Sequence, residues 1–101
     1  MGYGWSKKAK EELAAGRSID ICPRGNSMTP KIKSGQQITL LPLGNIEIKK
    51  DDIVYCKVKG NEYVHLVKGI RSNGEEFLIG NNHGNINGWT SKKNIFGIVN
   101  K

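Results

Sequence analysis

The chain is built from short apolar or β-rich runs, most of them closed by glycine, asparagine or proline, and this punctuation limits it to a fold of short strands. The runs SIDIC (18–22), QQITLL (36–41), DIVYCKVK (52–59), EYVHLVKGI (62–70), EEFLIG (75–80) and NIFGIVN (94–100) read as strands. Thirteen glycines against three prolines provide for many tight turns. Gly60-Asn61 predicts a two-residue hairpin turn between the third and fourth runs. The Asn/Gly-rich stretch 81–88 reads as a loop. Only residues 6–15 (SKKAKEELAA) carry a helical pattern, with Ser6 placed to cap the start and Gly16 suited to the left-handed position past the end. Trp5, Ala9 and Leu13 form a thin apolar stripe expected to pack on the β-body. At 101 residues there is room for one domain. The expectation is a mainly β, small and strongly bent sheet, with a helical segment over 1–17 and a β-domain over 18–101.

Composition removes several classes. With 37% hydrophobic and 25% charged residues the chain is not of the disordered, charge-rich kind. No apolar run reaches the ~18 residues of a membrane span, and no leader-like apolar stretch opens the sequence. Both point to a soluble, cytoplasmic protein. Cys22 and Cys56 form no C-x-x-C pair, so no metal site and no cofactor are expected, and a disulfide between them stays open. The net charge of +7 is spread over scattered lysines, as on a wetted surface. Nucleic acid is therefore disfavoured as a partner, and self-association as a homodimer stays open.

The chemistry gathers around PRGNSMTPKIKSG (23–35). Gly25 and Asn26 tolerate a tight turn before Ser27, and Pro30 prevents a regular helix after it. Such a turn can expose a hydroxyl and aim the backbone N–H groups of Asn26 and Ser27 at one point, as an oxyanion hole requires. A serine needs a base to act as a nucleophile near neutrality, and histidine suits that task. His65 lies mid-strand, on the face shared with Tyr63 and Val67, with Lys68 on the other. His83 is a second candidate partner for Ser27, but in the 81–88 loop it reads first as a solvated histidine, and Trp89 reads as a core or rim anchor.

These residues also carry a resemblance. GNSMTPKIKSGQQITL is similar to the G-x-S-M-x-P segment of the signal peptidase I and LexA-type peptidases, and KKDDIVYCKV resembles their following G-D-I-V strand. YVHLVKGI is similar to their base-bearing strand, FLIGNNHGN to their G-D-N box, and NIFGIV to their closing strand. The blocks fall in the family's order and span roughly residues 21–100. The resemblance implies a bent, barrel-like β-fold with Ser27 as nucleophile and His65 as general base, as in the branch with histidine in place of lysine. It also implies a peptide bound as an extended strand, small residues beside the cut, and a substrate groove near Met28 and Pro30. Three positions depart from the pattern: Gln36 for Asp, Asp51 for Gly, and Asn81 within Gly80-Asn81-Asn82 for the Asp of G-D-N. With that acid missing, Asn81 or Asn87 is expected to accept the imidazole hydrogen bond.

The chain offers an Ala15-Gly16 bond like those cut by self-cleaving LexA-type members, but it lies close before Ser27, and a helix-ending role explains Gly16 more simply. A stand-alone peptidase acting in trans is expected, of a compact kind suited to a phage or mobile element. Two other classes remain: a peptidase-fold module that only binds a protein partner, motivated by the missing acid, and a basic β-barrel that binds nucleic acid, motivated by the charge.

Overall fold

A computed structural model describes residues 4–100, so residues 1–3 and 101 of the two expected segments lie outside the described residues. Helix α1 (Ser6–Ala14) is followed by seven strands: β1 (Ile19–Ile21), β2 (Ile38–Leu41), β3 (Ile53–Val58), β4 (Asn61–Arg71), β5 (Glu76–Gly80), β6 (Ile86–Ser91) and β7 (Ile95–Val99). They form one antiparallel sheet in the order β1-β2-β7-β3-β4-β5-β6. All six strand-like runs of the sequence become strands, and the mainly β expectation holds.

The period of two sorts the central strands onto two cores. Tyr55, Val64 and Leu66 join Ile21, Met28, Ile32, Ile38 and Leu40 beneath α1, which contributes Ala9 and Leu13. Val54, Cys56, Val58 and Val67 face the other way, onto Ile48, Phe77, Ile79, Ile95 and Ile98. The helix thus shares a core with the sheet and is not a separate unit. A Lys10–Glu62 ion pair, with Glu62 also accepting from the Tyr55 hydroxyl at 2.7 Å, ties it down further. Cys22 and Cys56 are both free; Cys56 is fully buried, and burial pushes its thiol up to about 12, where it stays protonated.

Four expectations need correction. Ser6 does not cap α1: Trp5 holds that position without a side-chain cap, and Ser6 already lies in the first turn. Gly16 does end the helix in the left-handed conformation, at φ 83°. The β3–β4 turn is Lys59-Gly60, both at positive φ (51° and 86°), and Asn61 already pairs with Val58. Glu62 consequently faces Lys57 in place of Lys59, which preserves every face assignment. The stretch 81–88 is not all loop, because β6 begins at Ile86. Its INGWTS sequence hides a strand because an edge position at the end of the sheet tolerates polar residues and glycine.

The fourth correction concerns closure. The sheet is strongly bent but is not a barrel: β1 and β6 end it, and among the described residues no ladder joins them. Register shifts at Tyr55/Cys56, Val67/Gly69 and Ile79/Gly80 supply the bending. Lys68 is the extra residue of the second. The bend carries β6 back over the sheet, where the Thr90 hydroxyl donates to the Lys57 carbonyl of β3 at 2.7 Å.

Helix and sheet approach each other closely at one glycine. A Cβ at Gly97 of β7 would lie 2.8 Å from the Leu41 carbonyl oxygen and 2.9 Å from Leu13 Cδ1. Gly97→Ala is expected to destabilise the fold by about 1–3 kcal/mol, because the helix must lift or the β2–β7 pairing must yield. Urea denaturation checks this, and an unchanged midpoint would show that the contact is slack.

Candidate active site

The chain leaves β1 and folds into a loop that lifts one hydroxyl above a buried anchor. Gly25 stands at φ 108°, a conformation that side chains resist, and its N–H is taken by the Ser34 hydroxyl at 3.0 Å. The Gly35 N–H donates to the Pro23 carbonyl at 2.8 Å and closes the loop. Met28 and Ile32 sink into the first core, and the Ile32 N–H donates to the Met28 carbonyl at 3.0 Å. Ser27, next to the Met28 anchor, is exposed. Met28 is therefore a core residue that also lines a pocket, and Pro30 is exposed outside that lining.

His65 projects from the middle of β4, buried and stacked on Tyr63 with ring centroids 4.8 Å apart. Its Nε2 lies 3.1 Å from Ser27 Oγ and its Nδ1 lies 2.6 Å from Asn87 Oδ1. An amide oxygen only accepts, so Nδ1 carries the proton and Nε2 presents its lone pair to the Ser27 hydroxyl. Burial pushes the His65 pKa below the ordinary histidine value, and the Asn87 hydrogen bond opposes that in part. The imidazole is accordingly neutral at pH 7, the form that can take a proton.

Asn87 reaches His65 although β5 lies between their strands in the sheet order, because the irregular register at Ile79/Gly80 turns β6 over that face. Asn81, the other candidate, serves its own loop. Its Oδ1 accepts from the His83 N–H at 2.8 Å and the Asn85 N–H at 3.0 Å, so its side chain is spent there. Among the described residues neither the Asn26 nor the Ser27 N–H donates to a protein acceptor.

Beside Ser27 lies a small pocket lined by Pro23, Arg24, Gly25, Met28, Ile32 and Val64, with about 20 Å³ of free room. That is room for about one water-sized group.

The sequence assigns nothing to Asn82 or Thr29 and offers His83 as a second candidate partner for Ser27 that reads first as solvated. In the structure the Asn82 N–H donates to the Ser27 carbonyl and its Nδ2 to the Thr29 carbonyl, each at 2.9 Å. His83 Nε2 lies 2.9 Å from the Asn26 carbonyl oxygen and 3.1 Å from Thr29 Oγ1. The signal was the density of asparagine, a residue that bonds nearby backbone, but its target was a turn more than fifty positions earlier. Among the described residues no group of three or more His, Cys, Asp or Glu side chains could hold a metal ion, and no helix is long and apolar enough to cross a membrane. No protein-family model, curated protein or solved structure matches the chain.

Proposed function

We propose that this protein is a serine peptidase in which Ser27 is the nucleophile, His65 the general base and Asn87 the residue that orients the imidazole. One observation carries the reading: the ordered relay from Ser27 Oγ to His65 Nε2, and from Nδ1 to Asn87 Oδ1, at 3.1 and 2.6 Å. Ser27 Oγ attacks the carbonyl carbon of the scissile peptide bond as its proton passes to His65 Nε2. The carbonyl oxygen becomes an oxyanion, and the free N–H groups of Asn26 and Ser27 are the donors suited to receive it. Collapse of the intermediate breaks the C–N bond, His65 gives its proton to the leaving amine, and an acyl-Ser27 ester remains. Water then attacks that ester, with His65 as base, and frees the serine.

The substrate is a peptide bound in extended form and cut in trans. The small pocket beside Ser27 suits small residues next to the cut, such as alanine, glycine or serine. A neutral Asn87 in place of a carboxylate withholds charge from the imidazolium formed during attack, so turnover is slow. That same feature supports a second reading, a peptide-binding module without catalysis.

A degenerate mixture of alanine-containing peptides, followed by mass spectrometry, separates the two. Cleavage by the parent protein and none by Ser27→Ala is the expected result. Binding without cleavage would favour the second reading, and cleavage that persists in Ser27→Ala would remove Ser27 as nucleophile.

A further inference from the structure

The loop between β5 and β6 grips the serine turn from behind. Three of its donors reach three carbonyls of that turn: His83 Nε2 to Asn26, the Asn82 N–H to Ser27, and Asn82 Nδ2 to Thr29. Asn26 carries the central contact, since its oxygen also accepts from the Thr29 hydroxyl at 2.9 Å and from the Thr29 N–H at 3.2 Å. This leaves His83 as the donor brought from outside the turn. A carbonyl oxygen cannot donate, so the proton of the His83 contact sits on Nε2.

The Asn26 carbonyl and the Ser27 N–H are two ends of one planar trans peptide unit and point in opposite directions. A donor on the oxygen fixes the plane and, by drawing electron density toward the oxygen, makes the N–H a stronger donor. We infer that His83 is a positioning residue that sets and polarises the Asn26–Ser27 peptide, so that the Ser27 N–H is ready to hold the oxyanion. The inference rests on the peptidase reading for its catalytic meaning, but the polarised peptide itself does not.

The rest of the loop is built to hold His83 in place. Asn81 Oδ1 accepts the His83 N–H and the Asn85 N–H, and the Asn81 N–H returns to the Asn85 carbonyl at 2.9 Å. The loop lies so close on Gly80 that a Cβ there would fall 2.6 Å from the Asn85 carbonyl oxygen. Asn81, one of the two asparagines considered for the catalytic histidine, thus supports the second histidine, which acts through the backbone of the nucleophile.

The test uses the full chain with two substitutions and two readouts. His83→Ala is expected to lower kcat about tenfold with KM within about twofold of the parent, a fraction of what deletion of an oxyanion donor costs. His83→Gln, whose side-chain amide can again donate to Asn26, should recover most of the loss. In nitrogen–proton NMR spectra the Ser27 amide proton should move upfield in His83→Ala and return in His83→Gln. This second readout needs no turnover. An amide shift in a chain that cleaves nothing would leave the His83 contact standing and defeat the peptidase reading alone. A Ser27 amide that does not move in His83→Ala overturns the inference, as does a working peptidase whose kcat ignores the substitution. Equal losses in both variants would also overturn it, because the donated hydrogen bond would then not be the cause.

Discussion

Replacement of His65 by alanine is expected to slow peptide cleavage by about 10⁴-fold or more, with little change in KM. The imidazole is the only base in contact with Ser27 Oγ among the described residues, and without it the hydroxyl must lose its proton to water. The substitution also strips Asn87 Oδ1 of its donor, at a cost of about 1–3 kcal/mol, so the urea midpoint is measured alongside the rate. Added imidazole should restore part of the activity by entering the vacated space. A folded His65→Ala protein that cleaves within tenfold of the parent would defeat the proposed role. The pH profile of the parent offers a matching check. In the proposed mechanism neutral His65 is the active form, and because burial lowers its pKa, activity is expected to persist at about 6.5, where a free histidine is half protonated. It falls only as the pH drops through the lowered value.

Asn87→Asp is expected to work in the opposite direction and raise kcat about 10- to 100-fold. A carboxylate at this position accepts the same Nδ1 proton and also stabilises the imidazolium formed during attack. In serine proteases the reverse change costs about 10⁴, largely because the imidazole then adopts the wrong tautomer. Here Asn87 presents its oxygen to Nδ1 and the tautomer is already correct, so only the charge remains to be gained. The carboxylate also favours protonated His65, which moves the acid limb of the rate profile to higher pH. A slower enzyme, or an acid limb that stays in place, would mean that Asn87 is not the residue that governs the imidazole.

How far the sequence could be read depended on the range of the interaction concerned. The strand runs were legible because a sheet with two buried faces imposes its period of two on each segment separately. Within β4, Val64 and Leu66 on one core and Val67 on the other follow from that alternation, whereas the pairing of Tyr55 with Val64 is a matter of register. Gly16 was legible as a helix stop because its backbone requirement is local. The hairpin was placed one residue late, since both Lys59-Gly60 and Gly60-Asn61 contain the glycine that the turn needs. Strand β6 escaped notice because Asn87 and Gly88 break the apolar pattern at the exposed end of the sheet.

At the site, residue type, the turn around Ser27 and the strand beneath His65 make the two residues candidates, and only the resemblance favours them over ordinary residues of their kind. Type, turn and strand are local properties, and the family resemblance linked the two residues without giving a distance. The choice between Asn81 and Asn87 was not legible, and neither was any contact for His83. Both depend on how far three irregular registers bend the sheet and where that bend sets the β5–β6 loop. The sequence by itself determined six of the seven strands, the faces of β4 and the chemical candidates, because propensity and period act within a few residues. Only the tertiary structure decided which candidates meet, because curvature accumulates along whole strands and brings together side chains that no local pattern connects.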